Sequence, residues 1–234
     1  MTNWTKSAPV GRVNLFYFTS SEHALSNLQD QEIKVSSFDK CNDVFELASF
    51  SMKSRAARQK HQNWLSQVEG MFGLVCLSQS WRKALMWAHY GNSGRGACLV
   101  FSLPKSSFPK VSYIPQRLTR KDEFQFPRPS EGNVFFDFCS KKFSAWRYES
   151  EARLFCDLQN DANIVDKTIK GEVMKFLKFS EDFKPIGIVN GPKPSHGKQE
   201  FDPAIQRLGL EFFQCRPAFT KFHMTSQREK KYWK

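Results

Sequence analysis

Residues 144–155 read S-A-W-R-Y-E-S-E-A-R-L-F and hold the densest meeting of charged and aromatic side chains in the chain. Laid out as a β-strand, the stretch puts Trp146, Tyr148, Ser150, Ala152 and Leu154 on one face and Arg147, Glu149, Glu151 and Arg153 on the other. Wound as a helix, it pairs Arg147 with Glu151 and Glu149 with Arg153 four residues apart, each pair worth about 0.2–0.5 kcal/mol. The large apolar residues alternate with the charges and do not recur at three and four, which favours the strand.

On the strand reading, Glu149 and Glu151 are same-face neighbours one pleat apart, held between Arg147 and Arg153. Two interpretations remain open at this point. The four residues form a surface charge ladder of little energetic value, since exposed ion pairs contribute about 0–1 kcal/mol. Alternatively, the E-x-E pair works on a sugar, accepting a hydrogen bond from a ribose hydroxyl and stabilising positive charge at the anomeric carbon.

Outward from this stretch, mixed element types are expected. V-N-L-F-Y-F at 13–18 reads as a strand, followed by Thr19-Ser20-Ser21 as a helix start and a short helix to about Leu28. Ile33–Val35 is a second strand and 36–43 a polar loop. Glu46–Val68 reads as the longest helical stretch, broken once. Met71–Leu77 is a strand, and Ser80 caps a helix W-R-K-A-L-M-W-A-H-Y that Gly91 ends. The glycine turn G-N-S-G-R-G then runs into a strand at Ala97–Phe101. Its spacing and the strand that follows exclude a dinucleotide fingerprint, and no Walker loop is present. Lys110–Ile114 is a strand, 117–129 a charged connection and Val134–Lys142 a helix. Ile186–Val189 is a strand, Phe201–Leu210 a helix and Glu211–Cys215 a final strand. Strands and helices mix without a β-α-β alternation, so the expected class is α+β in a single domain over 1–234, with a basic C-terminal tail at 226–234.

Composition narrows the function classes. The chain has 234 residues, 40% hydrophobic and 25% charged, ordinary for a folded globular protein and wrong for a disordered one. Its 23 phenylalanines point to an aromatic-rich core. Lys and Arg number 35 against 23 Asp and Glu, a formal charge of +12 that favours an anionic partner, nucleic acid or protein. The excess gathers at Lys53–Lys60, Arg117–Lys121 and Arg228–Lys234, runs that equally suit a solvated surface. Six cysteines form no C-x-x-C, so zinc is not expected, and those in V-C-L, A-C-L-V-F and L-F-C suit reduced, core-filling thiols of a cytoplasmic protein. No stretch is apolar enough to span a bilayer, so no membrane partner is expected. Clustered metal ligands are missing as well, which removes support for a nuclease.

Four pieces together resemble the bacterial family called domain of unknown function 2971. They are L-F-Y-F-T-S (15–20), S-S-F-D-K-C-N-D-V-F-E (36–46), C-L-S-Q-S-W-R-K-A-L-M-W-A-H-Y-G-N-S-G-R-G-A-C-L-V-F (76–101) and W-R-Y-E-S-E-A-R-L-F (146–155). More remotely, their order is similar to that of DarT-type ADP-ribosyltransferase toxins. That resemblance implies a split mixed sheet with flanking helices and NAD as a substrate, without metal. It makes Glu151 the catalytic glutamate that grips ribose while nicotinamide leaves, and Glu149 the first member of the E-x-E pair that orients the acceptor. Thr19 matches the toxins' first strand, whereas Tyr17 stands where they carry His. Tyr17 is therefore either a ribose contact or a core aromatic. His89 and Tyr90, at the mouth of the glycine turn, are further candidates for the cofactor, and Arg147 for the substrate. The acceptor implied is a macromolecule, nucleic acid among the possibilities, in a toxin or defence role. The alternative is a non-enzymatic basic module that binds nucleic acid or a partner protein, with the glutamates as scaffold.

Overall fold

The computed structural model describes residues 8–119 and 125–233. Arg120, Lys121 and Lys234 of the basic runs lie outside that range. Among the described residues twelve strands and five helices follow one another without regular alternation: β1 (Arg12–Thr19), α1 (Ser21–Asp30), β2 (Glu32–Lys34), α2 (Arg55–Val68), β3 (Phe72–Ser78), α3 (Ala84–His89), β4 (Ala97–Pro104), β5 (Ser112–Ile114), α4 (Asn133–Cys139), β6 (Lys141–Phe143), β7 (Glu151–Asp157), β8 (Ile164–Ile169), β9 (Glu172–Lys178), β10 (Pro185–Asn190), α5 (Lys198–Leu208), β11 (Glu211–Pro217) and β12 (Met224–Ser226). The main sheet has the order β12-β11-β10-β4-β1-β3-β7. Only β10 and β11, joined through α5, run parallel, so the sheet is mixed and the fold is α+β as expected.

Alternation along the central strands builds a core on each face. Leu15, Val75, Leu99, Phe101 and Ile188 face α1 and α5, whose Leu28 and Phe201 are also buried. Phe16, Phe18, Cys98, Val100 and Val189 face Trp81 and the α3 residues Met86 and Trp87. Each fully buried large side chain contributes about 1.5–3 kcal/mol. A third cluster joins Trp64 and Val68 of α2 to Phe135 and Phe138 of α4. It accounts for much of the phenylalanine excess.

Several elements differ from expectation for local reasons. Helix α2 starts at Arg55, where the Ser54 hydroxyl accepts the Ala57 N–H at 3.0 Å, and Glu46 lies outside it in a turn closed onto the Asp43 carbonyl. Helix α3 is shorter than 81–90, because the Arg82 carbonyl accepts the Met224 N–H at 2.7 Å and holds 81–83 out of the helix. Helix α4 stops at Cys139, leaving Lys142 in β6, and β5 begins only at Ser112. The hairpin β8–β9 turns at Lys170 and Gly171, both with positive φ (53° and 83°), the geometry of a tight two-residue hairpin. No strand is expected here from the sequence, because the apolar residues come in adjacent pairs, Ile164-Val165, Val173-Met174 and Phe176-Leu177, and do not alternate.

The stretch 144–155 itself is divided. Residues Ser144–Glu149 form a 3-10 turn, Ser150 takes a left-handed conformation (φ 44°), and the strand begins only at Glu151. The cause is the partner strand. Ser78, the last residue of β3, pairs with Glu151, and beyond it the Gln79 N–H reaches back to the Ser150 carbonyl at 2.9 Å, after which the strand pairing of 151–157 is not continued. Glu149 and Glu151 are therefore not one pleat apart on a single strand.

Candidate functional site

Beside the edge where β7 meets β3 lies a cavity of about 230 Å³. Its walls include Phe16, Tyr17 and Phe18 of β1, Tyr90 after α3, the segment around Lys40–Asn42, and Cys76 of β3. Glu149, Glu151 and Lys142 close one side. The charge there comes from β6, the turn before β7, β7 itself and the turn at Glu46. The parallel ribbon β5–β6 brings Lys142 beside the start of β7. The turn at Ser150 swings Glu149 back towards it, held by a 2.6 Å hydrogen bond from the Ser78 hydroxyl to the Glu149 carbonyl and by Lys83 Nζ on the Ser150 hydroxyl at 2.5 Å. The Tyr113 hydroxyl of β5 accepts the Glu151 N–H at 2.8 Å.

The result is a buried five-charge cluster. Lys142 Nζ lies 2.5 Å from Glu149 Oε2 and 2.8 Å from Glu151 Oε2. Arg153 Nε meets Glu151 Oε1 at 2.9 Å, and its two Nη atoms form a fork on Glu46 at 2.6 and 2.9 Å. Arg153 also donates to the Cys139 carbonyl at 2.7 Å. Glu151 is 4% exposed and Arg153 1% exposed, so the surface-ladder reading is overturned. Within the cluster three carboxylates face two cations, and Lys34 and Lys40 add two further cations to the cavity lining.

The protonation balance follows from that geometry. Burial works to raise the Glu151 carboxyl, but Arg153 and Lys142 outweigh it and hold the group down at about 2. Glu149 is different: burial dominates, and its carboxyl stands above the ordinary range despite Lys142 and a hydrogen bond from the Tyr90 hydroxyl. Burial opposes the charge on Lys142, and the two glutamates overcome it and raise its affinity for the proton. Burial and Glu149 push the Tyr90 phenol up, and Asn42 donates to the same hydroxyl. The site thus holds one carboxylate fixed as an anion and a second of higher basicity beside it.

Of the expected residues, Glu151, Glu149, Tyr90 and Tyr17 line the cavity. Tyr17 is pushed up to about 12 by burial, with a smaller effect from Cys76. Thr19 is buried at the end of β1, away from the lining. His89 is exposed with its ring near Tyr148, and Arg147 is exposed with its guanidinium 5.9 Å from the Tyr113 centroid, so neither reaches the cavity and Arg147 does not balance the glutamates. Most backbone donors of the glycine turn are already committed. The N–H groups of Gly91, Gly94, Arg95 and Gly96 all bond within the turn or to α3. A Cβ at Gly96 would stand 2.1 Å from the Thr19 carbonyl oxygen, so its glycine serves backbone packing.

Sequence reasoning missed Lys142, Glu46 and Cys76. Lys142 and Glu46 are distant in sequence or outside the strand pattern, and only the E-x-E-x-R arrangement signalled that buried charge needed a partner. Cys76 was expected to fill the core, as Cys98 and Cys156 do, but it is exposed on the cavity wall. Among the described residues no cluster of His, Cys, Asp or Glu is arranged to hold a metal ion, and no helix is long and apolar enough to cross a membrane. No protein-family model, curated protein or solved structure matches this chain.

Proposed function

We propose that this chain is an NAD-dependent ADP-ribosyltransferase-like enzyme that modifies a macromolecule, with the cavity beside β7 as its active site. The observation that carries the reading is the convergence of Glu149 and Glu151 on Lys142 in the cavity wall, which sets two carboxylates side by side where a ribosyl cation would form. A carboxylate has about four acceptor positions. Glu151 receives three hydrogen bonds, from Arg153 Nε, Arg153 Nη2 and Lys142, whereas Glu149 receives two. Glu151 therefore acts chiefly as a fixed anion that stabilises the oxocarbenium-like transition state. Glu149, with more free acceptor positions and greater basicity, takes a hydrogen bond from a ribose hydroxyl or the proton of the acceptor.

In the step itself, the bond from the anomeric carbon to nicotinamide nitrogen breaks and its electron pair leaves with nicotinamide. A lone pair of the acceptor forms the new bond, and the acceptor's proton passes to Glu149. At about 230 Å³ the cavity is smaller than the roughly 300–1,000 Å³ that encloses a drug-sized ligand. It suits the nucleoside half of the donor, with Lys34 and Lys40 on the lining to meet the diphosphate.

The test is nicotinamide release from NAD, followed by chromatography with and without DNA, RNA or lysate, beside Glu151→Gln. Release that needs Glu151 and an acceptor supports transfer; release without an acceptor reduces the function to NAD hydrolysis. Full pairing of Glu151 with Arg153 and Lys142 favours the second reading, in which the cluster is scaffold and the protein a basic binding module. Absence of release and of NAD binding from the folded protein would overturn the enzymatic reading.

A further inference from the structure

The loop 218–223 between β11 and β12 exposes two phenylalanines to solvent, Phe219 at 89% and Phe222 at 108%. An aromatic side chain can bury roughly 150–250 Å², so two left bare within four residues hold a large apolar area that a partner could cover. Their setting is cationic. The Arg216 guanidinium lies 4.1 Å from the Phe219 centroid, and Lys221 stands exposed between the two rings in sequence. At the other end of the β11–β12 hairpin the tail is held by Trp233, which donates to the Gln227 carbonyl at 2.9 Å and packs edge-on to Phe212 of β11 at 5.6 Å. Over 216–233 the chain carries Arg216, Lys221, Arg228, Lys230 and Lys231 against one acid, Glu229.

This platform is joined to the carboxylate site through two consecutive residues. Arg82 donates to the Met224 carbonyl at 3.1 Å and to His223 Nε2 at 2.6 Å, while Lys83 reaches the Ser150 hydroxyl between the two glutamates. Beyond Lys83, the rings of His89, Tyr148 and Trp146 follow one another at 5.8 and 6.0 Å. Bare rings interleaved with cations are what a single nucleic acid strand requires: bases stack on the rings and phosphates meet the charges. A lipid surface would instead need a continuous apolar face, and the neighbours of Phe219 and Phe222 are Thr220, Lys221 and His223.

We propose that the β11–β12 loop is a stacking platform for single-stranded nucleic acid, which then runs past Arg82 and Lys83 towards the cavity. Binding there does not require ribosyl transfer, so the inference stands or falls separately from the enzymatic reading.

The experiment is fluorescence anisotropy of a labelled single-stranded oligonucleotide with the full chain, against a duplex of the same sequence and against anionic phosphatidylserine vesicles. The double variant Phe219→Ala/Phe222→Ala should bind the single strand tenfold or more weakly with an unchanged salt slope, because stacking is lost and charge is kept. Lys221→Glu should weaken binding and make the salt slope shallower. Unfolding curves superimposable on wild type show that both variants are folded. Equal affinity for the duplex, vesicle binding that depends on the two phenylalanines in place of oligonucleotide binding, or unchanged oligonucleotide affinity in the double variant would each overturn the proposal.

Discussion

Replacing Glu151 by Gln isolates the energetic role of the buried cluster. The folded protein holds this carboxyl at about 2 against an ordinary 4.5. At about 1.4 kcal/mol for each tenfold of proton affinity, that depression corresponds to about 3 kcal/mol of stability. Because the folded value is the lower one, the contribution is fully present above the unfolded value and is lost as pH falls from 4.5 through 2. Glutamine keeps the shape but offers one acceptor oxygen to two cations, so its N–H₂ is turned against Arg153 or Lys142. That cost is of the same order as breaking a buried ion pair, about 3–5 kcal/mol. Urea unfolding of both proteins from pH 7 to pH 2 gives the difference directly, since the other carboxylates titrate in both. We expect wild type to be more stable by about 3 kcal/mol at pH 7, with the gap closing to under about 1 kcal/mol by pH 2. A gap that stays constant over that range would refute the argument that Glu151 is a paired anion in the folded state.

Further outcomes follow from the same geometry. Arg153→Lys should destabilise by about 3–5 kcal/mol in chemical denaturation, because a lysine cannot reproduce the fork on Glu46 together with the bonds to Glu151 and the Cys139 carbonyl. Tyr90→Phe should cost about 1.5–3 kcal/mol by removing the hydroxyl that donates to buried Glu149, measured the same way. Gly96→Ala should cost at least 1–3 kcal/mol and lower Tm, since the new methyl would meet the backbone oxygens of Thr19 and Gly91 and neither can move as a side chain would. A Gly96→Ala protein as stable as wild type would remove the close-crossing account of the glycine turn.

Much of the scaffold was legible because its signals are local. The apolar and aromatic run 13–18, the cap at 19–21 and the run 97–101 predicted β1, α1 and β4, and the mixed order of elements predicted α+β. Helix α5 was also legible, and Gly209 closes it in a left-handed conformation. The site was only half legible. Glu149, Glu151 and Tyr90 were named from motifs and do meet in the cavity, while His89, Thr19 and Arg147 were named from the same motifs and do not.

By itself, then, the sequence determined where chain segments extend or coil and that residues 149–153 carry more charge than a strand face can leave unpaired. Periodicity and capping act within a few residues, so they are written in neighbouring letters. Which partners neutralise that charge was decided by tertiary structure alone. Lys142 arrives with the β5–β6 ribbon and Glu46 with a turn more than a hundred residues upstream of Arg153. The end of β3 at Ser78 forces the break at Ser150 that turns Glu149 towards Lys142. Ion pairing depends on distance in space and on exclusion of water, and neither exists until the sheet edge and its ribbon have packed together.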